Sequence, residues 1–208
     1  MLAISKFQGK IAAARRALPS NHIETVLHSD GKTEAIMKRS FLTLSPQEAL
    51  HVAVFIEERN AELYHRFAEM FVEFRDLQSL EIASVFWDMA VEERHHSTML
   101  QNRYTETYGN ASCALTEEDS QEMIELPKLE DGDVFGGEKN APEAPSARLR
   151  ALQVALSAEI QARKFYATLV ENTSDAGLRR VYRELAEFET DHVTFLEKKM
   201  LENPKSAK

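Results

Sequence analysis

The chain has 208 residues and a formal net charge of −9, which argues against nucleic acid as a main partner. Its single cysteine, Cys113, excludes a disulfide framework and any four-cysteine metal site within the chain, and makes a reducing cytoplasm the expected location. Hydrophobic residues make up 43% of the sequence, enough for one substantial core, yet no apolar run approaches the roughly 20 residues that span a bilayer.

Residues 1–44 read as a basic arm: "MLAISKFQGKIAAARRAL" carries Lys6, Lys10, Arg15 and Arg16 and no acid. The expectation is an arm that docks on the body of the protein or on a neighbouring subunit, although organelle-targeting and membrane-surface helices share this pattern. At "SPQEAL" a helix opens, with Ser45 as N-cap, Pro46 at the first helical position and Glu48 closing a capping box. Its apolar stripe runs Leu50, Val54, Ala61, Tyr64, Ala68 and Phe71, interrupted by Glu57. A second helix is expected after Ser79, with Ile82, Phe86, Met89 and Leu100 on its seam, and it ends at Gly109-Asn110. A connection of roughly 35 residues follows, with a short capped helix predicted at "TEEDSQEMIEL" and Gly and Pro concentrated toward its end. A third helix is predicted from about Ser146 to Asn172, and a fourth from Ser174 or Asp175 through Leu178, Val181, Leu185 and Leu196. Helices joined by short links pack antiparallel, and a long crossover lets the second pair lie against the first. The expected architecture is all-α: a four-helix bundle over residues 45–202 with a long crossover between helices two and three, an N-terminal arm, and a tail at 203–208.

The two pairs repeat each other. "ALHVAVFIEERNAELYHRF" and "ALQVALSAEIQARKFYATL" each place Leu, Glu and Tyr seven residues apart, as Leu50, Glu57, Tyr64 and as Leu152, Glu159, Tyr166. Seven residues is nearly two turns, so each set shares one stripe. A shift of 96 residues lays "VFWDMAVEERHH" on "VYRELAEFETDH", bringing Glu93 onto Glu189 and His96 onto His192. Each of the four seams is thus broken by an acid: Glu57 and Glu159 alone, Glu93 and Glu189 as part of Glu-x-x-His. Residues at i and i+3 are neighbours on a helix, so both members of each motif reach one point.

Four carboxylates in a dry core are prohibitive without compensation. Two divalent cations neutralise them, with two neutral imidazoles as further ligands, and this donor set suits iron or manganese and also accepts zinc. The expected metal ligands are therefore Glu57, Glu93, His96, Glu159, Glu189 and His192. In "VEERHH" the alternative register Glu92/His95 falls off the seam, so both are expected to be solvated flanks. Glu58, Glu62 and Glu187 are expected to be surface charges, and Trp87 to be half-buried. Tyr64 and Tyr166 either hydrogen-bond ligand carboxylates, carry electrons, or are ordinary core tyrosines. His22, His28, His51 and His65 are assigned no role.

These residues resemble those of the ferritin-like di-iron carboxylate proteins, and of the rubrerythrin-like branch in particular; the ligand pattern is a described one for the class. The resemblance covers roughly residues 45–200. It implies two iron ions at a Glu4His2 centre, with Glu93 and Glu189 where family members use bridging carboxylates. It implies reduction of hydrogen peroxide or oxygen by a rubrerythrin-like peroxidase or oxidase, or alternatively ferroxidase chemistry for iron storage or delivery, in a homodimer. Rubrerythrins carry a four-cysteine rubredoxin module that this chain lacks, so a separate electron-donor protein is implied. They also place an additional Glu where this chain has Ala162.

Overall fold

The computed structural model describes residues 41–124 and 144–203. The expected arm up to residue 40, the Gly- and Pro-rich end of the crossover and the tail from 204 lie outside the described residues. Among the described residues the structure is all-helical: a single 3-10 turn at Phe41–Thr43, then α1 (Pro46–Glu73), α2 (Leu77–Tyr108), the short α3 (Glu117–Met123), α4 (Ala144–Asn172) and α5 (Ala176–Glu202).

The caps explain most boundaries. Ser45 Oγ accepts the Glu48 backbone N–H, and Glu48 Oε2 accepts that of Ser45 at 2.8 Å, so α1 starts with both donors satisfied. Arg75, at φ 58°, turns the chain between α1 and α2. Here the sequence reading needs a correction: α2 begins at Leu77 rather than after Ser79. Asp76 is the cap, its carboxylate accepting both the Ser79 N–H and the Ser79 hydroxyl, so the serine is a bonded partner inside the first turn. Gly109, at φ 63°, ends α2 as expected. Thr116 and Asp119 form a capping box that starts α3, and Asp175 caps α5 by accepting the Leu178 N–H at 2.8 Å.

α1 packs along α2 and α4 along α5, and α1 and α4 join the two pairs. The core that this creates is aromatic at one level, where Phe86 packs against Tyr64, Phe67 and Phe71. Phe41 closes edge-on against Phe165 of α4, with ring centroids 5.1 Å apart. Where the crossover returns, the buried Arg148 of α4 donates to Asp76, Ser79 and Gln78 at the start of α2. That one guanidinium ties the second pair to the first. No helix among the described residues is long and apolar enough to cross a membrane.

Candidate metal centre

The four acids that break the apolar seams all point into the bundle. Glu57, Glu93, Glu159 and Glu189 are each 0% exposed, and His96 and His192 are buried beside them. Their donor atoms form two groups, Glu57, Glu93, His96 and Glu189 in one, and Glu93, Glu159, Glu189 and His192 in the other, with all atoms of a group within 4.8 Å of one another. The groups overlap through Glu93 and Glu189. Each group adds one carboxylate from a lone-Glu helix and one imidazole. The arrangement is that of two adjacent positions sharing two carboxylates.

Both histidines turn Nδ1 inward. His96 Nδ1 lies 3.4 Å from Glu57 Oε2. His192 Nδ1 lies 3.2 Å from Glu93 Oε1 and 3.4 Å from Glu159 Oε2. These approaches are not aligned as hydrogen bonds: both Nδ1 atoms, both oxygens of Glu93 and of Glu189, and one oxygen each of Glu57 and Glu159 are buried without a hydrogen-bond partner. Eight orphaned polar atoms facing one another are very costly as they stand. A pair of divalent cations resolves that cost, and carboxylate with imidazole is the donor chemistry of iron, manganese or zinc. The residues present fit such a pair.

The remaining carboxylate oxygens are held by the tyrosines. The Tyr64 hydroxyl donates to Glu159 Oε1, and the Tyr166 hydroxyl donates to Glu57 Oε1. Burial, reinforced by the Glu159 charge for Tyr64 and by the Glu57 charge for Tyr166, pushes both phenols well above their usual range, so both stay protonated donors at neutral pH.

The protons of the metal-free cluster are unevenly shared. Burial, with the charges of Glu57 and Glu159 added, raises Glu93 well above the ordinary carboxylate range. Burial and the Glu159 charge do the same for Glu189. Burial also pushes Glu159 upward, but its close approach to Glu189 and His192 outweighs it and leaves this carboxyl lowered. Burial alone would lower His192; its contacts with Glu159 and Glu93 win and raise it to about 12. Without metal, the surroundings therefore favour the protonated forms of Glu93, Glu189 and His192 and the ionised form of Glu159.

Several neighbours differ from the sequence reading. Glu92 is solvent-exposed as expected, but its Oε2 lies 2.8 Å from His192 Nε2 and so belongs to the site's surroundings. Glu58 is not a simple surface charge: it is half-buried, accepts from Gln101 at 2.6 Å, and is raised by that burial. Glu62 does form surface ion pairs with Arg59 and Arg66, Glu187 is exposed, and Trp87 stays about half exposed near His65. His51 is buried and lowered by burial. Asn60 was missed altogether. It is 1% exposed with both amide atoms unpartnered. Its position three after Glu57 and four before Tyr64 is the signal that would have found it.

Fold and donor set together define a ferritin-like helical bundle with buried Glu and His groups that could hold a metal pair. The family model described as Rubrerythrin matches residues 150–206, so the second helical pair is rubrerythrin-like. Two solved structures share the fold. An uncharacterized conserved protein from Magnetospirillum magnetotacticum MS-1 is 24% identical with a TM-score of 0.62, over 79% of this chain and 99% of that one. A hypothetical protein from Pyrococcus furiosus is 21% identical with a TM-score of 0.59, over 77% of this chain and 93% of that one. No curated protein matches the sequence.

Proposed function

We propose that the protein is a non-haem di-iron oxidoreductase that reduces hydrogen peroxide or oxygen, with Glu57, Glu93, His96, Glu159, Glu189 and His192 as ligands. The observation that supports it best is the convergence of four fully buried carboxylates and two imidazoles in two groups that share Glu93 and Glu189. Iron held there would supply the electrons, two for each peroxide reduced to water. The chain's own contribution is positional. Glu57 and Glu159 are pinned by tyrosine hydroxyls contributed by the opposite pair, so their free oxygens stay aimed inward. The apolar layers around the cluster, among them Phe86, Leu100, Leu152 and Leu185, exclude bulk water. A separate donor protein would return to the iron the electrons it gives up, and the proposal takes in a homodimer in the cytoplasm.

A second reading, ferroxidase chemistry for iron storage or delivery, is favoured by Ala162. It is fully buried and offers no additional carboxylate, leaving a set of six ligands. The two readings separate in an anaerobic Fe(II) titration of the metal-free protein and of a Glu57→Ala, Glu159→Ala double variant, followed by peroxide or oxygen. Saturation near two irons per chain and faster reaction with peroxide supports the peroxidase. Preference for oxygen, with more than two irons oxidised per chain, supports the ferroxidase. Absence of stoichiometric binding, or equal binding by the double variant, rejects both.

A further inference from the structure

The shift that carries α2 onto α5 pairs Glu93 with Glu189 and His96 with His192, and by the same count pairs Glu92 with Phe188. In space this relationship is kept: each of the two residues meets the histidine of the other helix. Glu92 of α2 places Oε2 at 2.8 Å from Nε2 of His192 on α5. Phe188 of α5 lies against His96 of α2, the ring centroids 4.9 Å apart and the planes tilted by 36°. The positions are equivalent and the chemistry is not. A carboxylate accepts the N–H of an imidazole; a phenyl ring at that place offers no such acceptor.

The consequence concerns the inward nitrogen. Once Nδ1 has given up its proton to a metal, an imidazole whose Nε2–H is held by a carboxylate keeps its lone pair on Nδ1, its ring orientation set and its basicity increased. His192 is held in this way with Nδ1 toward Glu93 and Glu159, whereas His96 is positioned by packing. Resting on the dimetal reading above, we infer that Glu92 is a positioning residue that makes the two metal positions unequal: the one framed by Glu159 and His192 takes its divalent ion first and more tightly than the one framed by Glu57 and His96.

Both side chains can be changed with little risk to the fold, since Glu92 is 60% exposed and Phe188 is 49% exposed. The test is an anaerobic titration of the metal-free full chain with Co(II), followed by its visible absorption and by competition with a chelator of known affinity. The wild type is expected to fill in two steps separated by about tenfold or more. Glu159→Gln should remove the tighter step and Glu57→Gln the weaker one, which assigns them. Glu92→Ala should weaken the tighter step about 10- to 100-fold and bring the two steps together. Glu92→Gln, whose amide oxygen still accepts the Nε2–H, should recover part of that loss. Phe188→Glu should strengthen the weaker step, an effect that a merely structural role for this position would not produce. Two equal steps in the wild type, or a tighter step unmoved by Glu92→Ala, overturn the inference while leaving the metal pair in place. No Co(II) binding by the wild type overturns the dimetal reading and this inference with it.

Discussion

Tyr64 of α1 donates its hydroxyl hydrogen to Glu159 of α4, and Tyr166 of α4 donates to Glu57 of α1. Each tyrosine lies seven residues after one carboxylate of its own helix and serves the carboxylate of the other. The two bonds therefore cross the interface between the helical pairs at the level of the candidate metal centre. They couple the packing of α1 against α4 to the orientation of two proposed ligands.

Tyr64→Phe should for that reason weaken the metal position framed by Glu159 and His192, not the one that includes Glu57 of its own helix. The variant leaves a fully buried carboxylate oxygen without its donor, and loss of such a supporting bond typically costs about 10- to 100-fold in metal affinity. Tyr166→Phe should act on the Glu57 position by the same argument. Stepwise Zn(II) competition titrations of both variants check this. A tyrosine deletion that weakens the position on its own helix would show that the crossed bonds do not orient the ligands.

The metal-free protein should lose stability as pH rises, which is the reverse of ordinary acid denaturation. Glu93 and Glu189 are raised by burial and neighbouring charge, so the folded state binds protons that the unfolded chain releases near its ordinary carboxylate pKa. Their stability is fully present below about pH 4.5 and declines above it. His192, raised to about 12, adds a decline of the same sign from about pH 6.5 upward. Glu159 is lowered and opposes this only on the acid side, where it is protonated. The expected result is a metal-free Tm several degrees higher at pH 5 than at pH 8. Glu189→Gln should flatten the slope and raise the Tm at pH 8, while reducing the stabilisation conferred by added metal. Thermal melts across pH with a chelator present measure it. A metal-free Tm that climbs from pH 5 to pH 8 would contradict the proton distribution.

The frame of the site was legible because its signals are periodic. Capping at Ser45 and Glu48, the stop at Gly109 and the seven-residue spacing of Glu57 with Tyr64 depend only on local geometry, and the repeat chose Glu93 and His96 over Glu92 and His95. What stayed hidden depends on which helices meet. Glu92 reads as a solvated flank on its own helix, and only the approach of α5 makes it a partner of His192. Phe188 looks like an exposed aromatic until His96 lies beside it. The crossed tyrosine bonds were open for the same reason: seven-residue spacing places each hydroxyl on the right stripe but says nothing about which carboxylate it reaches.

Arg148 belongs to this second kind, and its role is structural. Its guanidinium, 5% exposed, donates to Asp76, to the fully buried Ser79 and to Gln78. It thereby fixes the first turns of α4 against the start of α2. Arg148→Met keeps much of the stem's packing and removes these bonds, and should lower the Tm on the order of 5 °C. Metal affinity should change little, because the centre lies farther along the helices. Melting curves with and without Zn(II) separate the two effects. An unchanged Tm would mean that this contact does not hold the pairs together.

Metal binding should release protons. In the metal-free cluster burial and neighbouring charge favour the protonated forms of Glu93 and Glu189, and His192 is raised to about 12. A metal ion accepts lone pairs only from ionised carboxylates and neutral imidazoles, so filling both positions must expel these protons. Calorimetric Zn(II) titrations in buffers of different ionisation enthalpy should report a net release of protons per filled pair at pH 7. Glu189→Gln should lower that number, since its amide carries no titratable proton. Apparent affinity should rise with pH over the same range, by linkage to the same protons. Buffer-independent heats would show that the cluster is already ionised at neutral pH, with the four buried charges compensated by groups other than protons.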